Sequence, residues 1–115
     1  AAALLVFAPV GAARAADAEA GKKAFAKCAV CHSMEAGVTR GGPSLFGVIG
    51  RKAGTLAGYN YSSAMKAYDV TWTPETLNTY LEAPMQLVKG TKMTFPGVKD
   101  ATERANIIAY LETLK

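Results

Sequence analysis

The chain contains two cysteines and one histidine, and all three fall in one stretch, Cys28-Ala29-Val30-Cys31-His32. C-x-x-C-H is the spacing of covalent c-type haem attachment. Each thiol can add to one porphyrin vinyl group as a thioether, and the next residue, His32, is carried under the iron as the proximal ligand. Three other chemistries use parts of the same set. A redox dithiol expects a βαβ context, and the flanks here carry a helical pattern. A structural zinc site needs four N/S ligands, and the sequence holds no second Cys/His pair. A plain disulfide in a secreted chain would leave the lone histidine and a glycine-rich stretch after it without a purpose. The motif points to one haem c, covalent through Cys28 and Cys31.

The other face of the iron is less constrained. With a single histidine, bis-His coordination is excluded within a monomer, leaving methionine, lysine, water or nothing. Met34 lies two residues from His32 and cannot easily cross to the opposite face. Met65 sits in a short helical segment where packing is its default role, and Met85 follows Pro84 directly. Met93 lies in the loop running from Lys89 to Gly97. A loop wraps over a flat cofactor better than a helix does, but methionine is also a common filler of cores. Spacing alone leaves the sixth ligand open.

The elements that must position these residues read as helices. Gly21, Phe25 and Cys28 recur at helical spacing after a potential Asp17 N-cap, with Glu19 favourable in the first turn. Gly21 is costly inside a helix, by about 1 kcal/mol relative to alanine, which suggests close approach of another element. From Gly37 to Gly58 glycines are frequent, with apolar Leu45, Phe46, Val48 and Ile49 among them, as suits a loop laid against a cofactor. Ser62 to Tyr68 reads as a short serine-capped helix. Thr73-Pro74-Glu75 starts another, with Leu77, Tyr80 and Leu81 as its stripe, and Pro84 should end or kink it. Residues 85–99 read as a loop. Asp100-Ala101-Thr102-Glu103 resembles a capping box opening a last helix, with Ile107, Ile108, Leu111 and Leu114 facing a partner, for which the Gly21 face is the best candidate. No convincing strand pattern appears, so the fold class is all-α, with helices wrapped around haem.

Residues 1–15 stand apart. An apolar run precedes a small-residue site at Ala13-Arg14-Ala15, as in a secretory signal peptide truncated at its start and cleaved. An uncleaved membrane anchor is the lesser alternative, since the run is short for a bilayer. This predicts export to the periplasm and one domain over 16–115. The net charge of +4 falls by one when Arg14 is removed. Such a small excess, with no recognition motif, argues against nucleic-acid binding.

From Asp17 to Lys115 the sequence resembles the class I cytochromes c, mitochondrial and bacterial. The resemblance is carried by Gly21-Lys22-Lys23-Ala24-Phe25, Cys28 to His32, Gly42-Pro43-Ser44-Leu45, Gly50-Arg51-Lys52 and Tyr61. It continues through Thr71-Trp72, Tyr80-Leu81-Glu82, Pro84, Gly90-Thr91-Lys92-Met93 and Ala109-Tyr110-Leu111. It implies a single-domain fold with crossing N- and C-terminal helices, and metal ligands His32 and Met93. It also implies a Pro43 carbonyl bonded to the His32 ring, which orients the imidazole and raises its basicity. Arg51, Tyr61 and Trp72 match contacts to the inner propionate; Tyr80 and Thr91 match neighbours of the methionine ligand, and Phe95 an aromatic at the haem edge. Met65 departs from the pattern, standing where the family often has Asn, and leaves the distal network undefined. The loop before Pro43 also looks one residue shorter than in the mitochondrial proteins.

With both axial sites filled, the implied activity is one-electron transport and not catalysis. The rivals are a peroxidase-like or thiosulfate-oxidising haem enzyme, for which no distal histidine exists, and a gas sensor that releases Met93. The implied partners are a cytochrome bc complex and an oxidase or photosynthetic reaction centre. They would dock on a monomer at a lysine-rich haem edge drawn from Lys22, Lys23, Lys27, Lys52, Lys89, Lys92 and Lys99. Solubilising charge is the plainer reading of any one of these lysines.

Overall fold

A computed structural model describes residues 16–115; the expected leader over 1–15 lies outside the described residues. Six helices occur among the described residues: α1 (Ala18–Ala24), α2 (Ala26–Ala29), α3 (Ser63–Ala67), α4 (Pro74–Glu82), α5 (Pro84–Leu87) and α6 (Ala101–Glu112). The only strand-like pairing among them is an isolated antiparallel bridge between Lys52 and Thr71.

Asp17 caps α1, its side chain accepting from the backbone N–H groups of Glu19 and Ala20. The helical face expected through Gly21, Phe25 and Cys28 is kept, but its helix is broken at Phe25. There Cys28 N–H donates to the Phe25 carbonyl at 2.7 Å, a tighter turn than the α-helical one. The chain returns to α-helical pairing at once, His32 N–H reaching the Cys28 carbonyl at 2.9 Å.

The partner of the Gly21 face is α6. A Cβ placed on Gly21 would fall 1.8 Å from the Asn106 carbonyl oxygen, so only glycine lets these two backbones come this close. Around the crossing, Asp17 N–H donates to Asn106 Oδ1 at 2.8 Å, and the Phe25 and Tyr110 rings lie 5.3 Å apart. Ile107, Ile108 and Leu111 are buried as their spacing predicts, whereas Leu114 lies beyond the helix end and is half-buried.

Two local expectations are corrected. The capping box does not form at Asp100: its side chain accepts from Thr102 N–H, while the Glu103 carboxylate is drawn away into an ion pair with Lys27 of α2. A reciprocal box forms instead at the start of α4, between Thr73 and Thr76. Pro84 does end α4, but the chain does not then become loop; Pro84 sits in the first turn of the short α5, where its missing N–H costs nothing.

The long segments between helices are held by backbone pairing with distant residues. Gly50 N–H reaches the Trp72 carbonyl, Trp72 N–H the Arg51 carbonyl and Gly47 N–H the Leu114 carbonyl. Arg104, only 6% exposed, has its buried guanidinium satisfied by hydrogen bonds: it donates to Asn78 Oδ1 and to the Val98 and Lys99 carbonyls at 2.8–3.1 Å. It thereby ties α6 to α4 and to the segment after Phe95.

Candidate haem-binding site

The helices and loops enclose a cavity of about 500 Å³, lined mainly by apolar atoms. All eleven site residues expected from the sequence line it: Cys28, Cys31, His32, Pro43, Arg51, Tyr61, Trp72, Tyr80, Thr91, Met93 and Phe95. α2 and the turn after it bring both thiols and the imidazole to one stretch of wall. Both cysteines are free thiols. Burial pushes the Cys28 thiol pKa up, with Lys27 opposing and Glu103 adding to the shift.

His32 is fixed from two sides. Its Nδ1 lies 2.8 Å from the Pro43 carbonyl oxygen, which orients the ring and leaves Nε2 with no hydrogen-bond partner among the described residues. Burial holds its pKa down and the Pro43 bond acts the other way. Gly42 lies flat against the imidazole: a Cβ there would stand 2.7 Å from Cε1 and 2.9 Å from Nδ1.

Of the four methionines, Met65 and Met93 line the cavity. Met34 is engaged elsewhere, its sulfur against the Tyr110 hydroxyl, and Met85 is 42% exposed on α5. Met93 is held by its own loop: its N–H donates to Thr91 Oγ1 at 3.2 Å, and Thr91 N–H to the Val88 carbonyl at 3.1 Å. The Tyr80 hydroxyl lies 3.8 Å from Met93 Sδ. Burial raises the Tyr80 pKa to about 12, a Thr91 hydrogen bond drawing it back part of the way.

Arg51, Tyr59 and Tyr61 line a more polar part of the wall. Arg51 donates to the Ser44 and Phe46 carbonyls at 2.9 and 2.6 Å; burial weakens its hold on its proton, and Tyr61 supports the charge. Tyr59, in edge contact with Tyr61 at 4.8 Å, was not expected from the sequence. It stands in an irregular loop with no periodicity to mark which residues turn inward.

The lysines divide. Lys27 and Lys92 line the cavity; Lys27 pairs with Glu103, and Lys92 Nζ donates to the Asn60 carbonyl at 2.9 Å. Lys52 pairs with Asp69 at 3.2 Å, and Lys99 Nζ donates to the last carbonyl of α4, that of Glu82, at 2.5 Å. Lys22, Lys23 and Lys89 have no such partner among the described residues.

A flat, apolar, carboxylate-bearing macrocycle fits this donor set. The cavity offers free thiols for attachment, one oriented imidazole, a soft thioether, apolar walls and a guanidinium. Comparison with known proteins agrees. The family model for cytochrome c matches residues 18–115. Cytochrome c of Euglena viridis is 50% identical over 100 residues, covering 86% of this chain and 98% of the relative. Cytochrome c2 of Rhodoblastus acidophilus is 49% identical over 102 residues, covering 88% and 95%. Among solved structures, cytochrome cH of Methylobacterium extorquens superposes with a TM-score of 0.80 at 47% identity, covering 84% of this chain and 98% of that one. A cavity whose lining fits haem, the crossing of α1 with α6 and these likenesses along the described chain have one explanation: the chain belongs to the cytochrome c family, electron carriers built on a covalently attached haem c.

Proposed function

We propose that the protein is a one-electron shuttle whose iron is held between His32 and Met93, and that it catalyses no reaction of its own. The observation that carries this reading is that Met93 and His32 line one cavity with both attachment cysteines. When bound, haem supplies an Fe(II)/Fe(III) couple, and a His/Met ligand pair raises its potential. The chain's own contribution is orientation and dryness. Pro43 holds the imidazole, Thr91 holds the Met93 backbone, Tyr80 meets the thioether, and the apolar walls exclude water. Keeping both ligands in both oxidation states keeps reorganisation small. Arg51, Tyr61 and Trp72 would receive the inner propionate, and Phe95 would stand at the haem edge.

The test is spectroscopic. The oxidised protein should show the sulfur-to-iron charge-transfer band at neutral pH, and Met93→Ala should abolish it. A band that is absent, or that survives the substitution, overturns the assignment.

The domain would span residues 16–115 after removal of a leader over 1–15, with the carrier delivered to the periplasm as a monomer. No helix among the described residues is long and apolar enough to cross a membrane. The partners would be a cytochrome bc complex upstream and an oxidase or photosynthetic reaction centre downstream. Lys22, Lys23 and Lys89, which have no internal partner here, would carry more of the attraction than Lys27, Lys52, Lys92 and Lys99, which do. Electron-transfer rates with an acidic partner should fall as salt rises. Lys89→Glu should slow them more than Lys52→Glu.

A further inference from the structure

Met65 lines the same cavity as Met93, and both side chains are half-buried against the core. Two segments in contact carry them there. Lys92 Nζ donates to the Asn60 carbonyl just ahead of α3, and a Cβ on Gly90 would lie 3.5 Å from Ala64 Cβ in α3. Met65 is fixed by its own backbone: its N–H donates to the capping Ser62 Oγ at 3.0 Å, and its carbonyl accepts from Tyr68 N–H at 3.1 Å. A Cβ on Gly54 would stand 2.8 Å from that carbonyl oxygen, so the neighbouring loop lies directly on it. With its backbone groups engaged, Met65 offers the cavity only a thioether, a weak acceptor.

The polar groups that meet Met93 are already engaged. Thr91 Oγ1 accepts the Met93 N–H, and the Tyr80 hydroxyl is directed at the Met93 sulfur. Of the other hydroxyls in the wall, that of Ser62 caps α3 and that of Tyr61 accepts from Leu56 N–H at 3.3 Å. Among the described residues no buried side-chain nitrogen or oxygen lacks a hydrogen-bond partner. A buried water needs about two to four polar partners, and the α3 side of the wall does not supply them.

We propose that Met65 is a positioning residue for electron transfer: it keeps water away from Met93 and so holds that thioether in its ligand role. The proposal rests on the His32/Met93 reading above. A neutral thioether gives way to water or another small ligand only where the opened state is solvated. Against an apolar Met65 an entering water leaves hydrogen bonds unmade, which is costly away from bulk solvent. Loss of Met93 would make the ligand set differ between oxidation states and raise the reorganisation accompanying each transfer. The plainer role, filling a gap in the core, asks only for the bulk of Met65. The two roles part when bulk is kept and polarity is changed.

Met65→Gln keeps the length of the side chain and adds an amide, whereas Met65→Leu keeps it apolar. The ferric holoproteins should be compared by crystal structure and by the rate at which added imidazole takes the sixth position of the iron. The native protein and Met65→Leu should show no ordered water against Met93 and should take up imidazole at the same slow rate. In Met65→Gln an ordered water should appear there, and imidazole should enter severalfold faster, as one added hydrogen bond in the opened state would make it. An ordered water against Met93 in the native protein overturns the proposal, whether or not the Gln variant folds. Met65→Leu taking up imidazole as fast as Met65→Gln overturns it too, as does a Gln variant indistinguishable from the native protein. A native ferric protein without the sulfur-to-iron band overturns the His32/Met93 reading itself, so the two failures are distinguishable.

Discussion

At the scale of single residues, the site depends on atoms that never meet the iron. Gly42 illustrates this, since its missing side chain gives the His32 ring its place. Gly42→Ala should force the imidazole or the loop to move, lowering stability by about 1–3 kcal/mol as overpacking does. Thermal unfolding would measure that loss, and the hyperfine-shifted NMR signals of His32 would show the ring's displacement. Tyr80 gives a pH prediction. Its pKa is raised to about 12 in the folded chain from an ordinary value of 10.0, so folding favours the protonated phenol. The stabilisation is complete below about pH 10 and is lost as pH rises through 12, to a total of up to about 3 kcal/mol at 1.36 kcal/mol per unit. Denaturant unfolding between these pH values should show this decline, and Tyr80→Phe should flatten it.

Among elements, the crossing of α1 and α6 decides the shape of the interior. Propensity alone says that Gly21→Ala should stabilise α1 by about 1 kcal/mol. The tertiary contact says the opposite, because the new Cβ would overlap the Asn106 carbonyl, a backbone atom that cannot swing away. Steric overlap wins, and the expected result is a loss of about 3 kcal/mol or more in guanidinium unfolding of the holoprotein. Capping shows how far local sequence reaches. Asp17, Ser62 and Thr73 cap their helices as their positions suggest, because the accepting side chain and the free N–H groups are neighbours in sequence. The Asp100 box fails because Glu103 finds Lys27, 76 residues away, which no local window contains.

The whole molecule is organised around its cofactor. Phe25, Leu77, Ile107 and Leu111 all contribute to the wall of the cavity of about 500 Å³. A domain of this size buries a modest core, and that much apolar wall cannot stay open in water without a guest. Replacing Cys28 and Cys31 by alanine and extracting the haem should therefore collapse the tertiary structure. Near-UV circular dichroism should be lost, and amide exchange in α6 should approach that of an unfolded chain. A haem-free chain that kept both would show that helix packing suffices without haem.

The sequence by itself determined the chemistry: one C-x-x-C-H and no other cysteine or histidine leave few constellations, and the attachment of haem is written in five adjacent residues. It also determined most helix positions, since caps and stripes act over one or two turns. The second side of the site was not legible from spacing. Spacing sets Met34 aside but does not choose among Met65, Met85 and Met93; the family resemblance implies Met93, and the cavity wall contains it. Tyr59, the break at Phe25 and the division of the lysines came only with the tertiary structure. They depend on contacts between distant segments, such as Lys92 on Asn60 and Lys27 on Glu103. Periodicity carries no record of which loop residue turns inward; close packing around a flat cofactor decides that.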